Sequence, residues 1–425
     1  MFSRSLILVL LGGISALFLH REQQRGLFAK LDAAHVRWLL DNRRDAVPRA
    51  EANVIFVRID DRDRPEGERQ FETWPLSAAD WTGLLEEIAT HRPGAVAVQP
   101  ALGWGAAPDA SLTKLAGGFP RAVFGVWGEA GAGSEAAPAA VPLAEITRIE
   151  GSRDAVPTFT SIPLGQEVGA LGTMALTHLD LSDDPAAKAA VHDRECRIPL
   201  LFRHGDRVYP SFLLHSLCLD LGISLAEIEV RLGNAVVLQN RIRLPIDRAG
   251  GFVLHLLPVN EAELPTLNLD TFKLDAAQLD RFLPKGDPVR SVLPKVPGAL
   301  LWIAQDDSAA RRLPLADGRT VSAAELAARA LLAMETGRNI APLAERWQAA
   351  ACGAAVLLCV WQGRFQRRHA WKFGLLAAVG LGMVSLLTFQ TWAVWLPLGP
   401  CLGILAAGTA ANAILRRESA PPASA

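Results

Sequence analysis

Hydrophobic residues follow two different rules along this chain. At the ends they run almost unbroken: residues 5–19 (SLILVLLGGISALFL), 347–361, 373–389 and 394–415 are apolar stretches, the second interrupted only by Gln348. Runs of this kind approach the roughly 20 residues that cross a bilayer as a helix. Between them polar and apolar positions alternate as in a domain that meets water. The pattern predicts an N-terminal membrane anchor (1–20), a large domain (21–341), a three-helix membrane region (342–417) and a short disordered tail (418–425). The first run passes straight into Leu19, His20, Arg21 and Glu22 without an A-x-A-like site, so it reads as an uncleaved anchor.

Within the large domain the periods change from element to element. Residues 22–44 predict a helix with Leu27, Leu31, Ala34 and Trp38 on one face. Residues 53–59 (NVIFVRI) predict a strand that ends at Asp60-Asp61, and 94–98 (GAVAV) a second buried strand. Between them a helix over 77–91 carries Ser77 as N-cap, Asp80 three residues on, and a Leu76–Trp81 staple. Strand, helix and strand in this order predict a parallel βαβ unit. A third strand is expected at 121–127 and a mobile Gly/Ala/Pro loop at 128–142. Residues 197–203 (RIPLLFR) read as one strand, turning at His204-Gly205-Asp206 toward a helix from Ser211. A meander over 228–232, 235–238, 242–246 and 252–257 follows, then a strand at 299–304. The last helix begins after Ser322, with Glu325 completing a capping box and Val321 stapling Leu326. The fold class is mixed α/β with four transmembrane helices, one N-terminal and three C-terminal.

Charge orients this arrangement. Arg364, Arg367, Arg368 and Lys372 lie between the second and third runs, and Arg416 and Arg417 follow the fourth. Basic clusters stay on the cytoplasmic side, so both chain ends are expected there and residues 21–341 outside. Arg21, Arg25 and Lys30 after the first run oppose this, and the denser C-terminal cluster outweighs them. The whole chain carries a net charge of -1, which gives no reason to expect nucleic acid as a partner. Of five cysteines, only Cys196 and Cys218 lie in the large domain, as a disulfide or as two buried thiols. Small residues at four-residue spacing (Gly374, Ala378 and Gly382; Gly399 and Gly403) predict close helix packing, within the hairpin or on a partner.

Four stretches carry a resemblance: NVIFVRIDD at 53–61, TWPLSAADWTGLLEEIATHRPGAVAV at 73–98, CRIPLLFRHGDRVYPSFLLHSL at 196–217 and RLPIDRAGGFVLHL at 243–256. With one membrane segment before the domain and three after it, they resemble the bacterial CHASE type 2 family of extracellular sensory domains. The resemblance implies a periplasmic sensory domain on a multi-pass inner-membrane protein that takes part in signal transduction. The chain departs from the family at Gln99-Pro100, where an acidic residue is usual, and at 321–326, where a histidine is missing. It also ends ten residues after Leu415, where family members usually continue into an output domain.

Chemistry-bearing motifs are few. No nucleophile elbow, His-Glu-x-x-His helix, Cys-x-x-Cys pair or phosphate loop occurs, so no catalytic activity, cofactor or metal is expected. Asp60, Asp61 and Asp63 gather at the carboxyl end of a strand, where α/β folds open their ligand crevices. They are either a polar-ligand contact or a solvated turn. Asp180, Asp183 and Asp184 lack the calcium-loop pattern. Trp74 either lines a pocket or sets the start of the next helix, and Arg203 either meets an anionic ligand or is ordinary edge charge. Candidate ligand residues are therefore Asp60, Asp61, Trp74 and Arg203. Three functions compete. One is a sensor for an unknown ligand, acting through a separate signalling protein or a second copy. The others are an envelope scaffold, and an extracytoplasmic enzyme built on Asp60 and Asp61.

Overall fold

The computed structural model describes residues 12–19, 21–22, 27–42, 53–71, 76–99, 110–119, 121–130, 143–161, 173–180, 191–192, 195–239, 242–255, 264–273, 283–307, 312–314, 320–335, 341–343, 345–362, 367–392 and 394–417. The chain divides into two compact units, one formed by residues 49–339 and the other by 1–48 with 340–425.

The 49–339 unit is a mixed α/β domain. In chain order it begins with β1 (Val54–Ile59), α1 (Ala78–Thr90), β2 (Ala95–Val98), α2 (Ala110–Ala116) and β3 (Ala122–Ala130). Then come β4 (Arg148–Glu150), β5 (Phe159–Ser161), β6 (Met174–Asp180), β7 (Val191–His192), β8 (Glu195–Pro199), β9 (Leu201–His204) and β10 (Arg207–Pro210). Next are α3 (Phe212–Leu221), β11 (Ile228–Arg231), β12 (Ala235–Leu238), β13 (Ile242–Pro245) and β14 (Gly251–His255). β15 (Thr266–Asn268), β16 (Leu300–Gln305) and α4 (Ala323–Glu335) close the unit.

The main sheet runs β15-β1-β16-β2-β3-β5, with β6 also on β3, and every pairing in it except β3–β5 is parallel. The expected βαβ unit is therefore parallel but split: β16, nearly the last element of the domain, enters between β1 and β2. Alternate residues of these strands serve two cores. Val54, Phe56, Ala95, Ala97, Leu300 and Trp302 face α3 and α4, and Ile55, Val57, Val96, Val98, Leu301 and Ile303 face α1 and α2. Covered on both faces, the strands need apolar residues at every position, which is why they read as unbroken hydrophobic runs. Where β2 and β16 begin the backbones meet so closely that a Cβ on Gly94 would lie 2.2 Å from the Gly298 carbonyl oxygen. Glycine is required at that contact.

Local signals held where they were strongest. Ser77 accepts from the Asp80 amide and Asp80 answers the Ser77 amide, a complete capping box, with Leu76 and Trp81 both buried beneath it. Ser322 accepts from the Glu325 amide at 2.9 Å, but the Glu325 carboxylate turns to Arg329, so the second box is half formed. The stretch at 197–203 is two strands rather than one. Buried Leu200 sends its amide to Gly250 and breaks the ladder. β8 then pairs with β14, and β9 with β10, a strand absent from the expected elements. For the same reason the meander has three strands, β11–β13, plus β4, and its expected fourth belongs to another sheet. Cys218 carries a free, buried thiol, so the disulfide alternative falls; desolvation pushes that thiol up to about 12. Most of the expected mobile loop (131–142) lies outside the described residues.

The second unit is helical. The helix expected over 22–44 is described as Ala29–Asp41, and residues 12–19 of the first apolar run are helical. Helices Glu345–Gln362, Arg367–Trp392 and Leu398–Arg417 follow the three C-terminal runs. One of them, over Trp371–Thr391, is long and apolar enough to cross a membrane by length and composition, with a mean hydropathy of 1.8. Trp347–Gln362 and Leu398–Asn412 are shorter apolar helices, and residues 1–11 and 418–425 lie outside the described residues. Cys352, Ala355, Val356, Cys359, Cys401, Ile404 and Leu405 form this unit's core. Gly399 packs on Phe28, Gly403 on Leu19 and Gly408 on Cys359, while a Cβ on Gly382 would meet no atom of another element within 4 Å. Buried polar side chains also join the helices. Gln362 donates to Thr409 at 3.0 Å, Asn412 donates to the Cys359 carbonyl at 3.1 Å, and Ser385 meets His35 at 2.9 Å.

Candidate ligand crevice at the carboxyl edge of the sheet

β1 and β16 are in register, Ile59 opposite Gln305, and the Asp306 amide continues the ladder onto the Ile59 carbonyl at 3.1 Å. Two Asp-Asp pairs therefore leave neighbouring parallel strands side by side: Asp60-Asp61 after β1, and Asp306-Asp307 after β16. The carboxyl edge of a parallel sheet is where α/β folds hold ligands. Here the edge is densely charged.

The four carboxylates have different environments. Asp61 is buried and its two oxygens accept from the Gln70 and Phe71 amides at 2.8 and 3.0 Å, which closes the 60–71 loop. Asp60 stays partly open, 3.9 Å from Arg58 and 3.4 Å from Arg64. Arg64 also pairs with Asp270, just beyond β15. Asp307 is buried and accepts two bonds of 2.9 Å from the Gln305 amide nitrogen.

Asp306 is the centre of the group. It is 4% exposed, yet it lies 3.2 Å from Arg58 and 3.6 Å from Arg312, whose own side chains are 38% exposed. Burial raises its carboxyl above the ordinary range, against a Ser322 hydrogen bond and the two guanidinium charges, which act to lower it. Neither Arg58 Nε nor Asp306 Oδ1 has a well-aligned hydrogen bond. The attraction is thus mainly charge on charge, and weaker than a bidentate pair. Arg58, Arg64 and Arg312 stand among Asp60, Asp61, Asp270, Asp306 and Asp307, so carboxylates outnumber guanidiniums at this edge. That arrangement suits contact with a polar group.

Gln99 ends β2 beside this group, and its side-chain oxygen accepts from the buried Trp302 indole at 2.7 Å. Gln99 thus satisfies an otherwise orphaned core donor. A carboxylate there would accept the same bond.

Of the four residues singled out from sequence, Asp60 and Asp61 lie at this edge. Arg203 belongs to the β9–β10 pair and approaches Asp154 at 3.8 Å, in a different sheet. Trp74 lies outside the described residues. Asp306, Asp307 and Arg312 were missed, although a signal was present: the 300–307 stretch repeats the pattern of 54–61, a hydrophobic strand followed by Asp-Asp. Among the described residues no group of three or more His, Cys, Asp or Glu is arranged to hold a metal ion. No family model, curated protein or solved structure matches this chain.

The geometry separates the two aspartates after β1. Asp61→Ala strands two amides and should cost about 1–3 kcal/mol of stability. Asp60→Ala removes partly exposed ion pairs and should cost roughly 1 kcal/mol or less. Chemical denaturation of the two variants checks this, and equal losses would contradict it.

Proposed function

We propose that this chain is a membrane-anchored, extracytoplasmic sensor of the CHASE type 2 kind, which binds a small polar ligand and acts through a partner, without catalysis of its own. The observation that carries the membrane part of this reading is the outer face of the helix over Trp371–Thr391. Only 11% of its most apolar stretch is buried within the chain. Leu375, Leu376, Val379, Met383, Val384 and Leu387 are all more than half exposed. A contiguous apolar face of this kind is costly in water and favourable in lipid. Trp347, Trp361 and Trp371 are exposed as well, as suits residues that anchor helices at membrane interfaces.

On this reading the four apolar runs are four spans and residues 21–341 lie in the periplasm of a bacterial inner membrane. The basic residues at 364–372 and 416–417 stay in the cytoplasm with both chain ends. Ligand contact belongs to the crevice around Asp60 and Asp306. Open space at Gly382, one step along the helix from Ala378, offers a close-packing face to a second copy or to a separate signalling protein in the bilayer.

Two measurements test the proposal. In a cysteine-free background, a single cysteine at Ala132 should react with an impermeant reagent from outside the inner membrane, and one at Gln366 should not. Labelling of position 366 from outside would overturn the topology. A thermal-shift screen of the detergent-solubilised chain against small polar ligands should find a hit whose shift is reduced by Asp60→Asn. No shift with any of them would favour the scaffold reading.

A further inference from the structure

The opposite, amino edge of the sheet holds a second charged group, in a different setting. Asn53, directly before β1, donates its backbone amide to Glu335 Oε1 at 2.8 Å and its side-chain amide to Asp220 Oδ1 at 2.8 Å. Glu335 is the last residue of α4, and Asp220 lies near the end of α3. The Asn53 side-chain amide also reaches the Gly298 carbonyl at 3.5 Å, in the turn before β16. From the start of β3, Arg121 donates to the Leu219 and Asp220 carbonyls at 2.7 and 3.4 Å and to the Gly94 carbonyl at 3.3 Å.

One asparagine thus ties together the beginning and the end of the 49–339 unit. Asn53 lies four residues inside its first residue, and Glu335 four residues inside its last. The contact also brings two carboxylates to one amide-bearing residue. Glu335 Oε2 is buried with no hydrogen-bond partner. The charged groups acting on the pair, among the described residues, are the two carboxylates themselves and Arg121, which bears on Asp220.

We propose that Asn53, Glu335 and Asp220 form a proton-held clasp that keeps the start of β1 on the ends of α3 and α4 when Glu335 is protonated and loosens when it ionises. Desolvation, with added repulsion from Asp220, pushes Glu335 up to about 7, against its Asn53 hydrogen bond. Desolvation also raises Asp220, offset in part by Asn53 and Arg121. The sign follows from linkage. A carboxyl with a raised pKa in the closed form holds its proton there and loses it on opening. The stabilisation is full below the ordinary carboxylate range and is lost as pH rises through about 7. A neutral Glu335 avoids facing Asp220 as a second bare negative charge. The clasp is a property of the 49–339 unit alone; its use as a signal to the membrane helices rests on the sensor reading above.

Hydrogen exchange of the full chain in lipid nanodiscs tests it directly, read on peptides that begin at Asn53 and corrected for intrinsic rates. Between roughly pH 5 and 7 the opening constant at the start of β1 should rise by up to about tenfold per pH unit, and level off above that. Glu335→Gln keeps an acceptor for the Asn53 amide and cannot ionise, so its protection should be flat across this window. Asp220→Asn removes the repulsion and should bring the plateau to lower pH. A flat wild type, or an unchanged slope in Glu335→Gln, would overturn the proposal. Should Glu335→Gln fail to fold, an unmoved plateau in Asp220→Asn would overturn it equally. None of these outcomes depends on whether the chain senses a ligand.

Discussion

The insertion of β16 between β1 and β2 is the constraint on which the α/β unit depends. It gives β1 and β2 a shared parallel partner on their facing edges, with six residue pairs in register along β1. It also places Trp302 in the centre of one core, where its ring meets Phe212 edge to face with centroids 4.8 Å apart. The indole of Trp302 is satisfied only because Gln99 ends the neighbouring strand. Such a strand, formed from residues far along the chain, adds a loop-closure cost that grows only slowly with separation. Both faces of the sheet therefore depend on a non-local pairing.

The same insertion shapes both edges of the sheet. At the carboxyl edge it brings Asp306 and Asp307 beside Asp60 and Asp61, and so assembles the charged crevice. At the amino edge it sets the Gly298 turn against Gly94 and beneath Asn53, where the clasp forms. β1 joins the two edges over roughly 20 Å. A ligand that repositions the end of β1 and a proton that loosens its beginning would act on one strand.

Elements governed by local rules were legible. The two-sided burial of β1, β2 and β16 makes continuous apolar runs, and Ser77 with Asp80 announces α1 through groups three residues apart. Strand order was not legible, because nothing within 53–98 signals that a strand from residues 300–305 will separate β1 from β2. The break at Leu200 was hidden for a similar reason, since its amide answers Gly250, fifty residues away. Half of the crevice was visible as Asp60 and Asp61, and the other half followed only from the register of β16. Arg203 read as a site residue because flanking arginines look alike in sequence whether they face a crevice or an edge. The apolar runs at 347–361 and 394–415 were legible as helices, yet on length and composition only Trp371–Thr391 qualifies as a span among the described residues.

The carboxyl ends of β1 and β16 are adjacent and joined through Arg58 and Asp306. A double-mutant cycle with Arg58→Ala and Asp306→Ala, read by chemical denaturation of the full chain, measures that junction directly. Adjacency predicts a coupling of roughly 1 kcal/mol, kept modest because Arg58 is 38% exposed and its bond to Asp306 is poorly aligned. Strictly additive losses, with no coupling beyond error, would contradict it.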